Sequence, residues 1–209
     1  MNILSIDFDY FIDADITTRS EIFPYGEDAD AETVRGLWQE VYAAHPEIRE
    51  IGVISGYHLL CRKLPVLAGN AKACASADSH RDIYDFICSH CKAGPQVKSE
   101  MRIVNIDFHH DNYCMYGGRV TCANWLRKII EAYDVPAGNI CWVRREDSEI
   151  SSLEGEFPYA MTTDLPAVLS GEYDLVFLCL SPEWTPPHLL GDYERLVDSM
   201  GLSGQQKSG

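Results

Sequence analysis

The chain lacks an apolar run long enough to cross a bilayer. It also lacks a basic amino-terminal region followed by an apolar core and a cleavage site, so no secretory leader is expected and the expected compartment is the cytoplasm. Basic residues are scarce: 17 Lys and Arg stand against 32 Asp and Glu, a net charge of −15. That balance argues against nucleic acid or an anionic membrane as the main partner and is compatible with a cationic substrate. A disulfide framework is not expected either, despite eight cysteines. Cys141 and Cys179 fall in expected buried strands, and Cys61 and Cys122 in expected helices, where thiols behave as small apolar residues. Cys88-Ser89-His90-Cys91 has no second cysteine pair at zinc-finger spacing, and reads as a helix end before Gly94-Pro95 rather than a structural zinc site.

What is present is a chain of 209 residues, 46% hydrophobic, large enough for one domain with a real core. The expected domain spans 1–200, with a Gly, Ser and Gln tail at 201–209 that is expected to fray. Short apolar runs read as strands at 3–6, 52–55, 102–106, 139–143 and 173–180. Helical patterning is expected at 30–44 with Asp30 as N-cap, at 59–67 with a break at Pro65, at 78–91, at 120–133 and at 189–200. Residues 71–77 are small and weakly patterned. A loop through Pro24-Tyr25-Gly26 is a candidate pocket rim, and Tyr116-Gly117-Gly118 a flexible turn. Strands alternating with helices give a three-layer α/β/α sandwich on a mainly parallel sheet, whose ligands gather at the carboxyl ends of the strands.

The polar residues that follow these runs carry the chemistry. Asp107-Phe108-His109-His110-Asp111 follows the strand at 102–106. If the extended geometry continues, Asp107, His109 and Asp111 share one side. Asp7 and Asp9 close the first strand, His58 follows the run at 52–55, and Glu183 follows the last strand. Carboxylates and imidazoles from four strand ends suit a divalent metal, and their number suits two ions about 3.5–4 Å apart sharing bridging carboxylates. Hard oxygen donors with a few nitrogens favour Mn²⁺, Fe²⁺ or Zn²⁺ over Ca²⁺ or Mg²⁺. The bland alternatives are solvated polar loops, a structural His58 and a capping Glu183.

Ser5-Ile6-Asp7-Phe8-Asp9 resembles the Ser-Phe-Asp-x-Asp metal motif of the arginase and ureohydrolase superfamily, and Asp107 to Asp111 resembles its Asp-x-His-x-Asp motif. Ser55-Gly56-Tyr57-His58 resembles its Gly-Gly-Asp-His motif in the Gly and His alone. Ile6-Asp7-Phe8-Asp9-Tyr10-Phe11 looks closer still to a divergent branch that includes peptide arginases. The resemblance implies an arginase/deacetylase-like fold and two Mn²⁺ per chain. One ion would be held by His58, Asp107, Asp111 and Asp7, and the other by His109, Asp107, Asp7 and Asp9, with Asp7 and Asp107 bridging. It implies hydrolysis of a guanidinium group in an arginine-containing peptide or a small guanidinium compound, giving ornithine and urea.

Asp107 is then the central catalytic carboxylate. Glu183 is the expected grip on the guanidinium, through two parallel hydrogen bonds, and His110 is a candidate proton shuttle. Asn124 stands where the family places a substrate-side histidine. In standard arginases the Ser-Phe-Asp-x-Asp strand comes late, whereas here it comes first. Either the fold is circularly permuted or the first motif is a look-alike and Glu183 takes its place as a ligand. Two other classes fit the sequence. One is a haloacid-dehalogenase-like Mg²⁺ phosphatase with Asp7 as nucleophile and Asp9 as general acid, for which no convincing lysine follows a later strand. The other is an inactive scaffold of the same fold that binds a basic peptide.

Overall fold

The computed structural model describes residues 1–24, 28–91, 100–114, 118–148 and 157–202. Tyr25 and Gly26 of the expected rim, Gly94-Pro95, Tyr116-Gly117 and the tail from 203 lie outside the described residues. In chain order the elements are β1 (Asn2–Asp7), α1 (Ile16–Glu21), α2 (Ala31–Ala44), α3 (Ser55–Asn70), β2 (Ala73–Ala77), α4 (Ile83–His90) and β3 (Arg102–Ile106). They continue with α5 (Trp125–Tyr133), β4 (Ile140–Val143), β5 (Ala160–Thr162), α6 (Leu165–Val168), β6 (Leu175–Cys179) and α7 (Leu190–Ser199).

The six strands form one sheet in the order β2-β6-β1-β3-β4-β5, and every pairing is parallel. Strands buried on both faces need apolar residues on both, and the central ones have them. Leu4, Ile6, Val176 and Leu178 pack on one face with Val34 and Trp38 of α2, Leu60 and Leu64 of α3, and Leu196 of α7. Ile3, Ile103, Leu175 and Phe177 pack on the other with Ile83 and Ile87 of α4 and Leu126 and Ile129 of α5. The result is the expected α/β/α sandwich. Among the described residues, no helix is long and apolar enough to cross a membrane.

Several local expectations are corrected. The run at 52–55 is not a sheet strand: Val53 makes one isolated antiparallel bridge, to Ile12. The true second strand is β2, whose small residues Ala73-Cys74-Ala75-Ser76-Ala77 carry little β-propensity and pair at the sheet edge. α5 starts five residues later than the apolar pattern suggests, so Cys122 lies in a turn. There Asn124 accepts from the Thr121 N–H (2.8 Å) and donates to the Arg119 carbonyl (3.0 Å), holding the chain out of helix until Trp125.

Pro65 does not break α3, which runs from Ser55 to Asn70. Tyr57, Leu60, Leu64 and Leu67 form a buried stripe on both sides of it, while Pro65 faces solvent, where the carbonyl it leaves unpaired can be hydrated. Pro65→Ala is therefore expected to stabilise the fold by about 1–3 kcal/mol, read by urea unfolding. A neutral or destabilising result would mean that the proline's restriction of the unfolded chain outweighs the restored helix bond.

Candidate metal centre

The register of the sheet builds the site. On β1, residues 3, 5 and 7 point to the α4/α5 face, as do 103 and 105 on β3 and 175, 177 and 179 on β6. Ser5 lies beside Asn105 and Phe177, and one step on Asp7 lies beside Cys179. β1 and β3 thus end alike, in Ser5-Ile6-Asp7-Phe8-Asp9 and Asn105-Ile106-Asp107-Phe108-His109. Strand geometry does not continue past either first aspartate. Asp7 caps a 3-10 turn over Phe8–Phe11 and accepts from the Asp9 N–H (3.0 Å). Asp107 likewise accepts from the His109 N–H (2.8 Å). Asp111 has a left-handed backbone (φ 52°), and its carbonyl accepts from Leu126 N–H at the start of α5. The three residues of the second motif converge through these turns, not through strand alternation.

Five of the six expected ligands come together: Asp7, Asp9, Asp107, His109 and Asp111. His58 does not, because it sits on the exposed side of the first turn of α3. The imidazole that joins them is His80, which follows β2 and is buried. Its Nδ1 lies 2.9 Å from Asp111 Oδ2, 3.1 Å from Asp7 Oδ2 and 3.2 Å from Asp107 Oδ2. Its Nε2 meets the Ser5 hydroxyl at 2.6 Å, and its ring packs between Trp125 and Phe177. The only sequence signal for it was Asp78-Ser79-His80, polar residues after a short run of small ones and ahead of a helix.

Two ligand groups share Asp107. His80, Asp107 and Asp111 form the inner one, with Asp7 on the same imidazole nitrogen. Asp9, Asp107 and His109 form the outer one, with His109 Nδ1 3.2 Å from Asp9 Oδ2. Asp107 Oδ2 faces His80, while Oδ1 faces His109 at 3.9 Å. Atoms bound about 2.1 Å from an ion at right angles lie about 3.0 Å apart, so the spacings around His80 match the edges of a coordination shell. A second observation agrees: His80 Nδ1 is buried beside three carboxylates yet makes no hydrogen bond of good geometry. The residues present fit a metal.

The electrostatics point the same way. Burial, with Asp111, Asp7 and Asp9 alongside, pushes the Asp107 carboxyl well above the usual carboxylate range. Burial and Asp9 raise Asp7. Burial disfavours a charged His80, but Asp111, Asp107 and Asp7 outweigh it and hold the imidazole well above its ordinary value. Burial also opposes ionised Asp9 and Asp111, yet His109 and Arg19 bring Asp9 down and His80 brings Asp111 down. Without a cation the cluster gathers protons, which a metal would displace. Supporting bonds hold the ligands: Ser181 donates to Asp7 (2.5 Å), Trp125 Nε1 to Asp111 (2.6 Å) and Asn105 to Asp107 (3.3 Å). Cys179 lies within ligand reach of Asp7 and His80, and burial and Asp7 push its thiol well up in the metal-free protein.

The remaining expected residues are placed differently. Glu183 is buried beside the cluster rather than in it. Its Oε1 accepts from the Ala29 N–H (2.9 Å), and burial, Asp28 and Asp7 push its carboxyl up. It is not a member of either ligand group, as it would be had it replaced the first motif. His110 is a poor proton shuttle: it stacks on Tyr113 (4.0 Å), its Nδ1 accepts from Asn112 N–H, and burial lowers it to about 4. Asn124 spends its amide on Thr121 and Arg119. Cys88 lies in the last turn of α4 and Cys91 is its C-cap, both as free thiols.

The metal-free protein carries a pH signature. His80 has a folded pKa above its unfolded value near 6.5, so its contribution is fully present below that value and lost as pH rises through the folded one. The raised Asp107 acts with the same sign, whereas the lowered Asp9 and Asp111 lose their contributions only below about pH 4. In chelator, the Tm is expected to fall from about pH 6 to about pH 9, and Mn²⁺ is expected to flatten that fall. A metal-free Tm that stays level or rises over that range would contradict the cluster's electrostatics.

Comparison with protein-family models, curated proteins and solved structures gives no match for this chain.

Proposed function

We propose that the chain is a binuclear Mn²⁺-dependent hydrolase of guanidinium groups, converting peptidyl arginine to ornithine and urea. The observation that carries this reading is the division of one carboxylate between two ligand groups, Asp107 Oδ2 towards His80 and Oδ1 towards His109. With His80 in place of His58, the inner set of Asp7, His80, Asp107 and Asp111 follows the ligand scheme that the arginase resemblance implies, while the outer set of Asp9, Asp107 and His109 follows it without the second bridge, Asp7, whose Oδ2 faces His80. Two divalent ions held this way supply an activated water near neutral pH.

The chain's own residues do the rest. Asp7 and Asp107, fixed by Ser181 and Asn105, orient the two positions. His109 is the most open ligand, with its side chain 25% exposed, and Trp184 packs on its ring at 4.6 Å. Substrate would therefore approach on the His109 side, and Glu183, next to Trp184 in the chain, is the carboxylate proposed to meet the guanidinium, with Oε2 as the oxygen not engaged by Ala29 N–H. A phosphatase would need Asp9 to hand a proton to a leaving group. A fully buried Asp9, held low by His109 and Arg19, is poorly suited to that task.

The test is urea release by the Mn²⁺-loaded protein from arginine-containing peptides and free arginine. Release from peptides is expected. No urea from any of them would sink the substrate assignment, while Mg²⁺-dependent phosphatase activity lost in Asp7→Asn would move the protein to the phosphatase class.

A further inference from the structure

We propose that Arg19 is a fixed internal cation that makes the two metal positions unequal, so that the ion at Asp9 and His109 is held weakly and exchanges while the ion at His80 stays. The proposal rests on the two-position reading above and adds an order of filling to it.

The geometry is specific. Arg19 is buried, with its side chain 1% exposed. Its Nη2 donates to the carbonyls of Asp9 (2.7 Å) and Ile12 (3.1 Å), and its Nε to that of Ala14 (3.1 Å). The guanidinium carbon sits 4.0 Å from the centre of the Phe108 ring, and Phe108 stands between Asp107 and His109. So held, the cation cannot swing out when an ion arrives. Its Nη1 lies 3.4 Å from Asp9 Oδ2, the same oxygen that faces His109 Nδ1 at 3.2 Å. The Asp9 oxygen that faces His109 is therefore already next to a positive charge.

The inner position has no such cation in contact with its carboxylates. Among the described residues, no Lys or Arg pairs with Asp7, Asp107 or Asp111 within 4.0 Å, and the group that faces all three is an imidazole. Three carboxylates serve the inner ion. The outer one has an Asp9 already offset by Arg19 and shares Asp107, whose charge the inner ion has partly neutralised. It is also the more open to water, since His80 is buried and His109 is not. Fewer uncompensated charges and easier hydration both favour exchange at the outer position.

The experiment is calorimetric titration of the metal-stripped full chain with Mn²⁺, with free Mn²⁺ counted in parallel by electron paramagnetic resonance. The wild type is expected to bind in two steps at least tenfold apart in affinity. His109→Ala should lose the weak step and keep the tight one. Arg19→Gln keeps an N–H donor for the loop carbonyls but removes the charge, and should tighten the weak step at least tenfold. Arg19→Lys, which keeps the charge, should leave it weak.

Two equal steps in the wild type would overturn the inequality while leaving the two-position site intact. Loss of the tight step in His109→Ala would overturn it as well, as would a folded Arg19→Gln whose weak step is unchanged. Should Arg19→Gln fail to fold by circular dichroism, the wild type and His109→Ala decide. Absence of any bound metal would defeat the site itself, and the proposal with it.

Discussion

Asp107→Asn is expected to empty both metal positions while leaving the fold intact. Asp107 belongs to both ligand groups, and its two oxygens face different ones, Oδ2 the His80 side and Oδ1 the His109 side. An amide has the same shape but no charge, and is a poor bridge between two divalent cations. The metal-free protein should barely notice. Burial and the neighbouring aspartates push the Asp107 carboxyl up because they disfavour its charge, a cost that a neutral amide of the same shape does not carry. The variant should therefore match or exceed the metal-free wild type in Tm and lose the shift that Mn²⁺ gives. That shift is worth about 2.7 kcal/mol for each site when free metal is about a hundred times Kd. Metals per chain by elemental analysis, with circular dichroism as the folding control, reads the outcome. Two metals retained in Asp107→Asn would mean that the bridge lies elsewhere. One metal in the wild type would favour a single-ion centre.

His80→Ala is expected to empty the inner position, whereas His58→Ala should change neither metal content nor stability. The His80 ring supplies the nitrogen that three carboxylates face within 3.2 Å. Its loss leaves Asp7, Asp107 and Asp111 around a void without the imidazole that faces all three, and the Ser5 hydroxyl without its 2.6 Å contact. Removing one member of a buried charged group costs about 3–5 kcal/mol, and here that cost should appear in urea unfolding of the metal-free form. His58, exposed on α3, has no such neighbours. Metal loss in His58→Ala with none in His80→Ala would reverse the assignment.

The contrast between these two histidines shows what one-dimensional reading can reach. His58 was attractive because a β-branched run preceded it, but that run makes a single bridge rather than a strand. His80 carries only a faint signal, because the strand before it is built of alanine, serine and cysteine, which signal neither strand nor helix. Arg19, an important charge beside the site, stood in a stretch with no pattern at all. It is buried only because the turn after β1 aims the carbonyls of Asp9 and Ile12 inward at its guanidinium. Asn124 and His110 carried plausible chemistry in sequence, but local hydrogen bonds and ring stacking turn both to holding the loop before α5.

The sequence by itself determined the layered α/β architecture and five residues of the buried acidic and imidazole cluster. Both follow from short-range physics: apolar runs that need cover on two faces, and acidic clusters placed directly at their ends. The tertiary structure alone decided which histidine completes the inner group and which residue compensates Asp9. β2 pairs with β6, and β6 with β1, so a residue beyond the end of an edge strand reaches across Phe177 to carboxylates on two central strands. Strand order is a long-range choice, set by how the whole apolar surface is buried, and no local spacing encodes it.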